Sequence, residues 1–186
     1  MPKKVDHTER RRLIADALMR VAAEQGLEAV SLRHVAAAAD VSAGMVQHYF
    51  RTKDEMMTFA LSVVKERSQR RVEEAIARLG GDPRPRDLVR AMLTALLPLD
   101  EASREDGRVA LAFLAYTAVR PQPALRGETE ELLGFLGGLL PGGDVNAAAA
   151  LLALMEGLGL YLLGGQYTPE RALGALDAQL ERLFTA

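Results

Sequence analysis

Apolar residues recur along this chain at the three- and four-residue spacing of amphipathic helices. Asp6 and Glu9 are spaced as a capping box ahead of the first apolar stripe, and Gly26 follows it as a typical helix end. The stripe consists of Leu13, Ile14, Ala17, Leu18, Val21 and Ala22. Because apolar and polar residues never alternate over more than four positions, the pattern predicts helices and no strand.

Two short helices are predicted next, and each starts at a serine. Ser31 and Ser42 can both serve as N-caps, and Asp40 and Val41 form a tight turn between the two helices. The inward positions of the first short helix are Val35, Ala36 and Ala39. Two short helices joined across about three residues have the arrangement of a helix-turn-helix.

Turn signals divide the rest of the chain into six further helices. Thr52 and Glu55 form a second capping box, which opens a long helix that runs towards Leu79 and stops at Gly80. Proline- and glycine-containing breaks then separate helices over 86–97, 103–119, 124–140, 145–163 and 169–184. The predicted fold is therefore all-α, with a helix-turn-helix domain over 1–52 and a bundle of helices over 53–186.

Composition and charge agree with this organisation. Of the 186 residues 49% are hydrophobic and only 5% aromatic, so the core must consist mainly of Leu, Ala and Val. The net charge of −2 combines a basic segment, residues 1–53 at +3, with an acidic remainder at −5. The basic end is the part expected to meet a nucleic acid. With no cysteine and no apolar leader near Lys3, a reducing, cytoplasmic location is expected.

One segment also fits a membrane span. Residues 147–165 carry Glu156 as their only charge and are just long enough to cross a bilayer. A carboxylate in the middle of the segment is costly in hydrocarbon, and no lysine or arginine closely flanks it. A buried helix of the bundle is the favoured interpretation.

The third helix carries the residues that point to a function. Val46 and Phe50 are four apart and share a buried face, so the other side is small and polar. That side consists of Ala43, Gly44, Gln47 and His48. Small residues allow a helix to enter the major groove closely, and the amide of Gln47 can read adenine. Tyr49 and Lys53 are placed to reach the DNA backbone.

The segments 31–36 (SLRHVA) and 41–50 (VSAGMVQHYF), with Lys53 after them, resemble the N-terminal signature of the TetR family of repressors. The resemblance covers about residues 8 to 60. It implies a homodimer that binds a palindromic, double-stranded operator. The DNA-contacting residues that it implies are Ser31, Arg33, Ser42, Ala43, Gly44, Met45, Gln47, His48, Tyr49 and Lys53.

Two positions depart from that family's usual choices. Asp40 stands where glycine is common; aspartate tolerates a left-handed backbone but adds a negative charge near DNA. Gln47 replaces the first residue of the family's aromatic pattern, so the contact made there, and hence the operator sequence, need not follow the common pattern.

The C-terminal part, with Glu156-Gly157-Leu158 and Thr168-Pro169-Glu170, is similar to the betaine-repressor-like branch of the family. The resemblance implies that the last two helices form a four-helix bundle with those of a second copy. The interface residues expected on this basis are Glu156, Gly157, Gly159, Leu160, Leu176 and Leu180. The residues expected to line an effector cavity, unless they are plain core, are Met92, Phe113, Tyr116, Thr117, Phe135 and Met155.

No catalytic set, phosphate-binding loop or metal site is predicted. His34 and His48 lack a further ligand at suitable spacing, and Arg10–Arg12 are either phosphate contacts or a solvated face. The expected function is that of a dimeric one-component repressor, without a cofactor, that a mostly apolar small molecule releases from DNA. The alternatives are a helical accessory protein with a vestigial DNA-binding motif and a small helical enzyme or ligand carrier.

Overall fold

A computed structural model describes residues 7–26, 29–119 and 123–185, and in these ranges the chain forms nine α-helices and no strand. The helices are α1 (His7–Gln25), α2 (Leu32–Ala38), α3 (Ala43–Tyr49), α4 (Lys53–Ala77), α5 (Pro85–Leu96), α6 (Glu101–Val119), α7 (Pro123–Leu139), α8 (Val145–Leu163) and α9 (Pro169–Thr185). The predicted all-α class is confirmed, and the predicted helix ends differ by two residues or fewer. The expected cap at Asp6 lies outside the described residues.

The helices form two compact units. The first contains the chain up to Arg67 together with Arg108–Tyr116, and the second contains Ser68–Gly107 together with the chain from Thr117 onwards. Helices α4 and α6 therefore each contribute residues to both units.

In the first unit, α1 packs on α2 and α2 packs on α3. The fully buried side chains at the centre of this unit are Ile14, Leu18, Val30, Val35, Val46, Phe50 and Met56. Two ion pairs connect α1 to α4: Arg67 to Asp16 at 2.7 Å, and Arg12 to Glu66 at 2.9 Å. Since the core side chains are spaced three or four apart, most of the predicted apolar stripe of α1 is its buried face. Leu13 is the exception: it lies at the edge of the stripe and is 41% exposed, so its predicted inward position is wrong.

In the second unit, α8 packs on α7 and α9, and α9 packs on α5. The core side chains come from all four helices, and the largest of them with no exposed surface are Val89, Leu151, Leu176 and Leu180. Arg90 of α5 donates to both carboxylate oxygens of Asp177 on α9, at 2.5 and 3.0 Å. These hydrogen bonds are the main reason why the pKa of Asp177 is lowered and the pKa of Arg90 is raised.

Helix α8 has a buried face and an apolar face that remains exposed. Within the described part of the chain it is the one helix long and apolar enough to span a membrane by length and composition, and 28% of its apolar window is buried. The exposed apolar side chains are those of Val145, Ala149, Ala150, Ala153, Leu160 and Tyr161. The helix thus packs in the bundle on one side only.

Candidate DNA-binding surface

The two short helices of the first unit start at the predicted serine caps. The Ser31 hydroxyl accepts a hydrogen bond from the His34 amide at 3.2 Å, and the Ser42 hydroxyl accepts one from the Met45 amide at 3.1 Å. Each bond satisfies one of the amide groups that a helix leaves without a partner at its start. These caps fix where α2 and α3 begin, and so fix the register of the residues that they expose.

The turn between α2 and α3 is a Schellman motif with an aspartate in the place where glycine is usual. The Val41 amide donates to the Ala36 carbonyl at 3.0 Å, and the Asp40 amide donates to the Ala37 carbonyl at 3.2 Å. Asp40 has a φ of 54°. Among the described residues, it is the only one other than glycine whose φ is positive. The left-handed backbone expected at this position is confirmed.

Helix α3 is held against the first unit by two fully buried side chains, Val46 and Phe50. The Phe50 ring centroid lies 5.5 Å from that of Phe59 on α4, and the Arg11 guanidinium lies over both rings, at 4.8 and 4.4 Å. Arg11 also lies 4.0 Å from the carboxylate of Glu55. Sequence reasoning offered Arg11 as a phosphate contact or a solvated charge, and the structure places it on an aromatic face.

The opposite side of α3 is open to solvent. Of the ten predicted DNA-contacting residues, seven are exposed, namely Ser31, Arg33, Ser42, Gly44, Met45, Gln47 and His48. The other three, Ala43, Tyr49 and Lys53, are half-buried. None is buried, so each retains surface for a ligand, and they lie at the start of α2, along α3 and at the start of α4.

Gly44 is a helical glycine that the fold itself does not require. A Cβ added there would meet only the Ser42 hydroxyl, at 3.9 Å, among the described residues. Its backbone is ordinary helix, so no positive φ demands glycine. Glycine destabilises a helix by roughly 0.5–1 kcal/mol relative to alanine. The fold of the described residues therefore does not require glycine at this position.

Sequence reasoning missed an aromatic cluster that joins the start of α1 to α3. The His7 ring packs edge-on against Tyr49 with centroids 4.5 Å apart, and His48 lies 5.2 Å from Tyr49. Both α3 residues were predicted to contact DNA. Because some forty positions separate His7 from them, no local pattern could have indicated the contact.

The predicted effector-binding residues occupy different surroundings. In the first unit, the ring centroids of Phe113 and Tyr116 lie 6.4 Å apart, and the Tyr116 hydroxyl donates to Asp54 at 2.7 Å. In the second unit, Met155 is part of the core, and Phe135 is 57% exposed. Met92 and Thr117 are half-buried. Their part in binding an effector stays a prediction.

The predicted interface residues divide into outward and inward positions. Glu156 and Leu160 are exposed, and a Cβ at Gly157 would meet no described atom within 4 Å. A Cβ at Gly159 would instead approach Pro98 of the same chain, at 3.9 Å. Leu176 and Leu180 are fully buried in their own core, because the apolar stripe of α9 faces α5 and α8. As placed, these two leucines lie beneath the surface and present nothing to a second copy.

A capped helix-turn-helix with an exposed small and polar face defines a DNA-binding regulator of the helix-turn-helix class. The family model described as bacterial regulatory proteins, tetR family, matches residues 14–58, and the model described as BetI-type transcriptional repressor, C-terminal, matches residues 85–185.

Individual proteins agree with these matches. The chain is 31% identical to the HTH-type transcriptional regulator BetI of Stenotrophomonas maltophilia, over 97% of this chain and 98% of that one. It is 38% identical to the regulator PksA of Bacillus subtilis, over 62% of this chain and 55% of PksA, so that match spans about half of that protein. A solved transcriptional regulator from Rhodococcus sp. RHA1 is 38% identical with a TM-score of 0.81, covering 93% and 95% of the two chains. The chain belongs to the TetR family of transcriptional regulators.

The left-handed backbone at Asp40 predicts how substitutions there change stability. We expect Asp40→Gly to raise the free energy of unfolding by about 1 kcal/mol, because glycine adopts a positive φ without steric cost. Asp40→Ala should lower it, since alanine lacks the side-chain oxygen that helps aspartate in this region. Urea unfolding followed by circular dichroism measures both. Asp82→Gly, in a loop without positive φ at that residue, is the control and should not stabilise; an Asp40→Gly protein less stable than the parent would contradict the prediction.

Proposed function

We propose that this chain is a dimeric, one-component transcriptional repressor that binds a palindromic operator in the bacterial cytoplasm and is released by a small-molecule effector. The observation that carries the proposal is the two-sided character of α3. Its apolar side is held in the core by the buried side chains of Val46 and Phe50. Its other side presents small and polar groups to solvent. A helix with that surface fits the major groove of DNA.

The roles proposed for individual residues follow from their chemistry. The exposed amide of Gln47 has the donor and acceptor that pair with adenine, while Gly44 lets the start of α3 approach the bases. Lys53 and Tyr49 bind phosphates. The hydroxyl groups of Ser31 and Ser42 accept bonds from their own helices and remain exposed, so they can donate to the DNA backbone.

Dimerisation would cover the exposed apolar face of α8. The face combines Leu160, Tyr161 and the outward alanines with an open position at Gly157, which permits close approach of a second helix. On α9, the exposed residues Gly174 and Ala178 are equally small. Monomeric soluble proteins rarely expose contiguous apolar patches of this kind. A twofold axis through this face would place two copies of α3 on successive half-sites of the operator.

Regulators of this family typically act as dimers with small-molecule ligands. In the proposed mechanism, the effector binds to the C-terminal helices and changes the spacing of the two α3 helices, so that they no longer fit successive major grooves. Effector and operator then weaken each other's binding by the same factor, because the two equilibria are linked.

Gly44 gives a test that separates DNA binding from folding. We expect Gly44→Ala to stabilise the protein by up to about 1 kcal/mol, because alanine is the better helix former, and to weaken operator binding, because its methyl group obstructs the approach of α3. Gly134→Ala is the matched control, since this helical glycine likewise has room for a Cβ, with no described atom within 4 Å, but lies on α7. It should stabilise without affecting DNA binding. Unfolding curves and fluorescence anisotropy with a duplex selected from genomic fragments measure the two effects; unchanged binding by Gly44→Ala would argue against the groove contact.

Gln47 and Lys53 should affect DNA binding in different ways. Gln47→Ala is expected to change which base is preferred at one position in each half-site. In the parent protein, the contact of Gln47 should favour the correct base over the others by about 1–3 kcal/mol of binding free energy. Lys53→Ala should weaken all duplexes to a similar extent and reduce the slope of log affinity against log salt by about one per half-site. Competition binding over a range of salt concentrations distinguishes these outcomes. A parent protein that shows no preference for any selected fragment over random duplex would support the accessory-protein alternative.

The dimer predicted from α8 can be tested at Leu160, which is 47% exposed. Leu160→Glu should give a monomer at micromolar concentration and weaken operator binding, because it places two carboxylates in an apolar interface. Leu132→Glu on α7, at a residue 43% exposed, is the control and should remain dimeric. Sedimentation velocity measures the state of each variant. A parent protein that is monomeric, or a Leu160→Glu protein that remains dimeric, would rule out this interface.

A further inference from the structure

The second unit contains a cavity of about 310 Å³, lined by the C-terminal part of α4, by α5 and by the start of α6. Its apolar lining comes from small side chains such as Ala75, Ala91 and Ala95, with Leu97 and Leu99 at one side. Its charged lining consists of three arginines and one aspartate: Arg71, Arg78, Arg90 and Asp100. The volume is at the lower end of the range for small-molecule sites.

The acidic partners of the three arginines do not line the cavity. Arg71 pairs with the buried carboxylate of Asp106 at 2.7 Å, and also donates to the Ala95 carbonyl at 3.3 Å. Arg90 pairs with Asp177, and Arg78 lies 3.6 Å from Glu74. None of these three carboxylates is among the lining residues. The cavity therefore presents guanidinium groups whose counter-charges lie outside its wall.

The one carboxylate in the wall is already engaged. Asp100 Oδ1 accepts hydrogen bonds from the amide and the hydroxyl of Ser103, each at 2.8 Å. These bonds stabilise the charged form and lower the pKa of Asp100. No aromatic ring lines the cavity among the described residues, so a cation would find one aspartate, with its Oδ1 already occupied, against three guanidinium groups and no ring face.

We propose that this cavity binds a small organic anion, a carboxylate or a phosphate monoester with a short apolar body, and that this anion is the effector. Guanidinium groups match both anions in charge and in planar geometry. Arg78 is the arginine best able to change partners, because it is 73% exposed and its pairing with Glu74 is long. The binding proposal stands on the cavity alone, while the effector role rests on the proposed regulatory function. It replaces the mostly apolar effector that the sequence suggested.

Arg90 connects the cavity to α9. Arg90 lines the cavity, and Nε and Nη2 of its guanidinium group also hold both oxygens of Asp177. A bound anion competes with Asp177 for this arginine, and so loosens the bond between α5 and α9. Because α9 packs against α8, which carries the proposed dimer face, occupancy of the cavity alters the helices that set the spacing of the two α3 copies.

Calorimetry with the full-length protein tests the binding. The probes are four molecules with six carbon atoms each: hexanoate, hexyl phosphate, hexanol and hexylammonium. We expect at least one anion to bind at millimolar concentration or below, and hexylammonium to bind at least tenfold more weakly than that anion. Comparing hexanoate with hexyl phosphate identifies which of the two anions is preferred. Failure of both anions to bind, or equal binding of hexylammonium, would overturn the proposal.

Three variants assign the binding to the arginines. Arg78→Gln and Arg90→Gln should each weaken the anion by about tenfold or more, because each removes a charge-assisted hydrogen bond. Asp177→Asn should strengthen it, since the competitor for Arg90 loses its charge. Arg84→Gln is the control: this arginine also belongs to the start of α5 but pairs with Asp87 and does not line the cavity. Unchanged anion binding in both Arg78→Gln and Arg90→Gln, with folding intact by circular dichroism, would exclude this site.

Operator affinity, measured with and without the anion, tests the effector role separately. A lower affinity in the presence of the anion, lost in Arg78→Gln, supports the role. Anion binding that leaves the operator affinity unchanged would reject the effector role but leave the binding site standing. A protein without specific DNA binding would refute the regulatory function while the calorimetry still reports on the cavity.

Discussion

Burial of the Phe50 ring at the end of α3 is the interaction on which the DNA-binding surface depends. The ring has no exposed surface, and Arg11 covers it together with Phe59. With Val46 buried one turn earlier, only one rotation of α3 about its own axis is compatible with the core. The exposed side of the helix is therefore a consequence of packing. A hydrophobic anchor, and not any polar contact, determines which residues can meet DNA.

In the second unit, packing again determines which side of each helix is buried, but one apolar surface remains exposed. Its core uses one stripe of α9, including Leu176 and Leu180, and one side of α8. Helix α8 is apolar around most of its circumference, so its remaining side has no partner within the described chain. Apolar area left exposed costs free energy, roughly 25 cal/mol for each Å², and the proposed association with a second copy would remove that cost. The same feature made the segment look like a membrane helix in sequence.

Much of the fold could be predicted because the signals that define it are local. Ser31, Ser42 and Gly26 mark helix ends by chemistry that acts within four residues, and the structure places helix ends there. Long-range contacts left no such signal, so neither the packing of His7 on Tyr49 nor the stacking of Arg11 on Phe50 was foreseen. The cavity arginines were missed for the same reason: Arg71 and Arg90 lie on different helices, and their partners Asp106 and Asp177 on two others. For Leu176, the resemblance implied a place in a dimer interface, but the sequence could not say that α5 and α8 of the same chain cover it.

Gly44 has a consequence for protein engineering. A glycine in ordinary helical conformation with open space around its α-carbon is a position where almost any change improves the folded state. A library of variants screened by heat resistance alone would therefore enrich alanine at this position, together with glycine at Asp40. With the proposed groove contact at Gly44, the most thermostable members of such a library would be those least able to enter the major groove, so stability and recognition would have to be selected together in this short helix.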